Sequence, residues 1–138
     1  MKKSISRGAA GGLVLSLLVI ACDSSREPAT YALRFADGDT LPAVLRSERN
    51  CTHMLVGGNV VLGPGRQYSS DFDIEINCFG QPPRPQQEIG TKGRFRMNAD
   101  TAVFTDSTGT PNGRGYLRGD TLIVRGPVRE LLYVRETQ

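Results

Sequence analysis

The stretch Tyr68-Ser69-Ser70-Asp71-Phe72-Asp73-Ile74-Glu75-Ile76-Asn77-Cys78 decides the fold class. Tyr68, Ser70, Phe72, Ile74, Ile76 and Cys78 fall on one side of an extended chain. Ser69, Asp71, Asp73, Glu75 and Asn77 fall on the other. Period-two alternation of this kind belongs to a strand with one face on a core and the other in water. Each neighbouring stretch repeats the pattern and is closed by turn residues.

Upstream, Tyr31, Leu33 and Phe35 alternate with Ala32 and Arg34 before Asp37-Gly38 turns the chain. Leu41 to Leu45 is a Pro-bearing, edge-like segment. Thr52 to Val56 and Asn59 to Leu62 flank Gly57-Gly58, a two-residue hairpin signal. Gly63-Pro64-Gly65 is the next turn. Downstream, Gly80 to Glu88 holds three prolines and reads as a polar loop. Gly93 to Met97, Thr101 to Thr105, Arg114 to Arg118, Thr121 to Arg125 and Glu130 to Arg135 supply further strands, with Gly119-Asp120 turning between two of them. No helical period of ten or more residues occurs after residue 21. About eight to ten short strands with hairpin-length links predict an all-β domain, an up-and-down antiparallel barrel. A two-sheet sandwich is the alternative.

One register is predicted in detail. Glu75 set opposite Arg94 puts Asp73 against Arg96 and Asn77 against Lys92 on the outer face. Inside, Ile74 then meets Phe95 and Phe72 meets Met97, so every cross-strand pair is chemically compatible.

The first 21 residues follow a different logic. Lys2, Lys3 and Arg7 precede an uncharged run from Gly8 to Ala21 whose apolar heart is Leu13 to Ile20. The run is shorter than the roughly 20 residues that a spanning helix needs. A positive start, a short apolar run and a small residue at its end mark a secretory signal peptide, with a buried core helix as the alternative. Val19-Ile20-Ala21-Cys22 resembles the lipobox of bacterial lipoproteins. The resemblance implies diacylglyceryl attachment to the Cys22 thiol, cleavage before Cys22 and acylation of the new amino group. Two or three acyl chains, at about 0.8 kcal/mol per buried CH₂, hold a protein firmly on a bilayer. The expected partner is therefore a membrane, reached through palmitate-like chains on Cys22, and the expected location is the bacterial cell envelope. Asp23 resembles the residue that retains lipoproteins in the inner membrane of enteric bacteria, a rule that varies between bacteria. Polar residues 22–30 read as a tether spanning at most about 30 Å, ahead of a single domain over residues 31–138.

Processing changes the charge. Three of the 17 Lys and Arg residues lie before Cys22, leaving 14 against 14 Asp and Glu, so the net charge of +3 belongs to the signal. The neutral remainder has no basic stripe with interleaved aromatics, and a nucleic-acid partner is not expected. Export leaves Cys51 and Cys78 where disulfides persist. Their bridge would stabilise by roughly 3.5 kcal/mol on the chain-entropy model, the alternative being two free buried thiols.

Sites of chemistry are sparse. His53 is the only histidine, no partner nucleophile or orienting group is signalled near it, and it reads as a half-buried or rim residue on a strand. No nucleophile elbow, Walker loop, dinucleotide fingerprint or His-Glu-x-x-His helix occurs. Asp71, Asp73 and Glu75 line one strand face, yet calcium gathers six to eight oxygens, usually on a loop. The expected Arg94 and Arg96 ladder accounts for these acids without a metal. Asn50-Cys51-Thr52 matches a glycosylation sequon that a bacterial lipoprotein would not ordinarily use. No catalytic residue, metal or cofactor is expected.

Tyr31-Ala32-Leu33-Arg34, Gly38, Leu41-Pro42, Gly58, Gly93-Arg94-Phe95 and Gly119-Asp120-Thr121-Leu122 together resemble small lipocalin-like β-barrel lipoproteins over roughly Tyr31 to Arg135. Longer lipocalins carry Gly-x-Trp on the first strand; this chain has no Trp, and Tyr31 stands near that position. With only five Phe and four Tyr, the first expectation is a filled barrel acting as a non-catalytic envelope interaction or structural module. The alternative, which the resemblance implies, is a hollow barrel binding a small apolar ligand.

Overall fold

A computed structural model describes residues 28–126 and 128–137. The signal segment, the lipobox with Cys22 and most of the tether lie outside the described residues. Ten strands follow one another: β1 (Ala29–Ala36), β2 (Asp39–Thr40), β3 (Ala43–Glu48), β4 (Cys51–Leu62), β5 (Gln67–Cys78), β6 (Arg84–Asn98), β7 (Thr101–Asp106), β8 (Pro111–Arg118), β9 (Thr121–Arg125) and β10 (Glu130–Arg135). From β4 to β10 each strand pairs antiparallel with its neighbours in sequence. β1 pairs with β10 through Tyr31–Arg135 and Leu33–Tyr133, and with β4 through Tyr31–Val60 and Ala29–Leu62. These two ladders close an eight-stranded up-and-down barrel. The described strands form one sheet, which rules out the two-sheet sandwich. Closure also leaves β1 and β4 no free edge along the shared ladder, the usual solution to exposed backbone groups.

β2 and β3 stand outside the ring. β2 folds back on the end of β1 through Asp37 and Gly38, both at positive φ (53° and 87°), the backbone signature of a tight hairpin turn. β3 pairs with the first half of β4. The chain begins its β1 ladder at Ala29, two residues before the predicted domain boundary at Tyr31.

The inward face of each strand supplies the core. Tyr31, Leu33, Leu55, Val60, Leu122 and Tyr133 pack together, with Leu122 and Tyr133 at 0% and 1% exposure. A second group joins Tyr68, Ala102 and Phe104, the Tyr68 and Phe104 rings meeting edge to face at 4.8 Å. Burying each such leucine or aromatic ring contributes about 1.5–3 kcal/mol. On β5, Tyr68 and Ile74 of the predicted inner face are buried, while the residues of both faces from Ser69 to Asp73 and from Glu75 to Cys78 are half-buried.

Two expectations are corrected. Gly57-Gly58 is not a hairpin turn, because β4 runs unbroken through it as a bulge between Leu55 and Gly57. Gly58 has a φ of 156°, and a Cβ there would come within 2.6 Å of the Asp71 carbonyl oxygen. The pair bends the strand, so that its first half meets β3 and its second half meets β1.

The second correction is the β5–β6 register. Glu75 faces Pro85 rather than Arg94, Asp73 faces Gln87, Ile74 faces Gln86 and Phe72 faces Glu88. Asn77 pairs with Thr52 on β4, and Lys92 faces Ser69. Phe95 and Met97 meet Phe104 and Ala102 of β7 instead. The chain reverses immediately after Cys78, where the Gln81 amide donates to the Cys78 carbonyl. Most of the supposed Pro-rich loop is thus strand. Residues 84–92 of β6 pair with β5 alone, and an edge tolerates Pro85 because no second ladder needs its missing N–H. Side-chain compatibility did not choose the register; the shorter turn did. With the register goes the arginine ladder as an account of the acids. Asp71 Oδ1 instead accepts from the Asn59 amide at 2.9 Å, and Glu75 Oε1 accepts from Asn77 Nδ2 at 2.9 Å.

Candidate functional site

The barrel is not filled along its whole length. A cavity of about 320 Å³ opens inside it, walled by side chains from every strand from β4 to β10. Most of the wall is apolar: Val60, Phe72, Phe104, Val124, Leu131 and the ring of Tyr133. Its origin is a difference in side-chain size along the axis. Deep in the barrel, Tyr31, Leu33, Leu55 and Leu122 interlock. Around the cavity the wall includes the small Ser70 and Gly126 and also Gly90, where a Cβ would run into the Ser70 backbone.

One sector of the wall is polar. Asn112 Nδ2 donates to Thr91 Oγ1 at 2.7 Å and to Tyr68 Oη at 3.0 Å. The Thr91 amide donates to Ser70 Oγ at 3.0 Å, and Ser70 Oγ returns a hydrogen bond to the Thr91 carbonyl at 3.3 Å. Four neutral groups from β5, β6 and β8 therefore form one connected cluster. The β7–β8 turn positions Asn112. Asp106 Oδ1 gathers the Thr108 amide, the Thr108 hydroxyl and the Thr110 amide at 2.8, 2.6 and 2.9 Å. These hydrogen bonds, with that of the Thr108 side chain the largest influence, hold the Asp106 carboxyl below its usual pKa.

Arg129, in the β9–β10 connection, is the one charged residue of the lining among the described residues. Its guanidinium is occupied: Nη1 pairs with Asp37 Oδ2 at 3.1 Å, while Nη2 donates to the Val44 and Leu45 carbonyls at 3.2 and 2.9 Å. Asp37 Oδ1 accepts in addition from the Glu130 amide at 2.9 Å. Arg129 thus fastens the cavity rim to the β1–β2 turn and to β3. Tyr133 has a different environment. Burial, with a smaller contribution from the negative charge of Asp71, drives its phenol pKa far up, so it stays neutral. Among the described residues its hydroxyl has no hydrogen-bond partner.

The predicted sites fall elsewhere. Cys51 and Cys78 are joined by a disulfide at the far end of the β4–β5 ladder. His53 is half-buried on β4 between Arg46 and Ile76, as expected of a rim histidine. It borders a surface groove of about 620 Å³ lined by Glu48, Arg49, Asn50 and Arg84. That groove is larger than the barrel cavity, but Glu48, Arg49, Asn50 and Arg84 of its lining are solvent-exposed and charged or polar, so the interior cavity is the better-built site. Sequence patterning identified the Tyr68, Ser70 and Phe72 face. It carried no signal for Thr91, Asn112 or Tyr133 as neighbours of that face, since they come from strands far along the chain.

No protein-family model, curated protein or solved structure matches this chain.

Proposed function

We propose that this protein is an exported, lipid-anchored barrel that binds a small apolar ligand without transforming it. The single observation behind the ligand is the cavity, whose volume lies at the lower end of the roughly 300–1,000 Å³ range of small-molecule sites and whose wall is mostly apolar with a few convergent polar groups. Its neutral Tyr133 phenol and its hydroxyl–amide cluster suit holding better than proton transfer or nucleophilic attack.

The anchor rests on the lipobox. Lipid on Cys22 would tie the chain to a bacterial membrane in the cell envelope, with the Ala29 end of β1 nearest the bilayer. Ala36, at the other end of β1, pairs with Leu131 of the cavity wall. This polarity favours a mouth turned away from the lipid surface.

Native mass spectrometry tests the ligand. The segment Asp23–Gln138 lacks the lipidation site and contains every strand of the closed barrel. Expressed with its disulfide, it should carry a co-purified small molecule or take up uncharged N-phenylnaphthylamine with a rise in fluorescence. A ligand-free mass from several hosts together with no probe uptake would remove the proposal. The anchor is tested separately: Cys22→Ala protein that still partitioned with membranes would show that lipid on Cys22 is not what holds it.

A further inference from the structure

The cavity wall also specifies the kind of head group its occupant carries, a step that rests on the ligand-binding function just proposed. Three observations converge. The polar groups of the wall gather in one sector, where Tyr68, Thr91 and Asn112 meet within hydrogen-bond distance. Tyr68 is buried while Thr91 and Asn112 are exposed, so the sector runs from the interior to the rim. Among the described residues the only charged group of the lining, Arg129, is consumed by Asp37 and two backbone carbonyls.

A carboxylate or ammonium head drawn inward from the rim to the buried Tyr68 would lose water without meeting an opposite charge, which is strongly unfavourable. A wholly apolar ligand would leave polar capacity unused. Among the described residues neither Asn112 Oδ1, on an exposed side chain, nor the Tyr133 hydroxyl makes a hydrogen bond, and neither atom is sealed from solvent. A head that both donates and accepts, a hydroxyl or an amide, answers these groups. The apolar side chains of Val60, Phe72 and Leu131 line the rest of the space.

We propose that the cavity takes a small uncharged amphiphile, its hydroxyl or amide head seated on the Tyr68–Thr91–Asn112 cluster and its tail against Val60, Phe72 and Leu131. Fatty acids and alkylamines of the same length are then poor ligands.

Competition against N-phenylnaphthylamine on the Asp23–Gln138 segment decides it. The competitors are decanol, decyl methyl ether, decanoate and decylammonium at neutral pH, where the last two are charged. Decanol is expected to displace the probe at about tenfold lower concentration than each of the other three, the ether included because it lacks the donor. A Thr91→Val, Asn112→Leu double variant should lose about tenfold in decanol affinity while keeping its affinity for the probe, which reports an intact cavity. Decanoate, decylammonium or the ether binding as tightly as decanol would overturn the head-group assignment and leave the ligand-binding function standing. So would undiminished decanol affinity in the double variant. Should that variant fail to fold, the four competitors on the unaltered protein still decide. Failure of the probe to bind a protein whose mass is ligand-free would overturn both.

Discussion

Gly93 and Thr105 approach so closely across β6 and β7 that a Cβ on Gly93 would overlap the Thr105 carbonyl oxygen and crowd the Asp106 backbone. Gly93 also pairs with Tyr68 on β5 and stands where β6 gains its second neighbour. The obstacle is backbone, which cannot rotate aside as a side-chain tip would. Gly93→Ala is therefore expected to destabilise the barrel by about 2 kcal/mol or more. A urea midpoint unchanged from the parent would show that β6 and β7 part freely at this point.

The Asp106 turn offers a local prediction. Asp106→Ala removes the acceptor of two amides and one hydroxyl, and hydrogen exchange at Thr108 and Thr110 should accelerate while exchange in β9 and β10 does not. The same turn leads into Asn112, so decanol affinity in the cavity should fall with it while probe affinity stays. The carboxyl is held below its usual pKa. The turn's ordering is therefore present above the unfolded value near 3.9 and is lost as pH falls through the lower folded value. Uniform exchange across the protein in the variant would dissociate the turn from its aspartate.

Removing the disulfide tests the outer end of the β4–β5 ladder. Cys51 and Cys78 are 27 residues apart in sequence, and freeing that loop costs about 3.5 kcal/mol on the chain-entropy model. Cys51→Ser, Cys78→Ser protein should unfold at correspondingly lower denaturant. Because the bond lies outside the cavity lining, the folded variant should still bind the apolar probe. Loss of probe binding under conditions where the variant remains folded would contradict this separation.

Alkaline pH should weaken the barrel through its buried phenols. Burial is the largest influence on both Tyr133 and Tyr31, and both are raised above the ordinary value of 10.0. The direction follows from linkage. Below about pH 10 both states are protonated and the contribution is intact; above it the unfolded chain ionises first and stability declines, by about 1.4 kcal/mol per pH unit for each tyrosine still neutral in the fold. Denaturant midpoints between neutral pH and the alkaline range measure this, and Tyr133→Phe should flatten the decline. An identical slope in that variant would remove Tyr133 as a cause.

Particular elements show what was legible in the residues and what was not. β5, β7, β9 and β10 could be read because alternation and turn chemistry act over a few residues, and the disulfide because only two cysteines follow Cys22. Gly57-Gly58 misled because two glycines serve a hairpin and a bulge equally well. Only the neighbour across the strand decides between them, here the Asp71 backbone against Gly58. The β5–β6 pairing misled because charge complementarity is satisfied by several registers, whereas the length of the turn permits few.

By itself the sequence determined an all-β meander, the half-buried place of His53 and the cysteine pair. Each depends on interactions between residues near in the chain, or on the small number of groups available. It did not determine the inner face of β1, where a bulge between Leu33 and Phe35 puts Ala36 in the core in place of Phe35. Tertiary structure alone decided the closure of β1 on β4 and β10, the register of β6, and the cavity. The contact from Asn112 to Tyr68 spans 44 residues, and that from Arg129 to Asp37 spans 92. Interior volume is set by side chains from seven strands meeting around one axis. No local pattern encodes that sum, which is why an expected filled barrel is packed in one part and hollow in another.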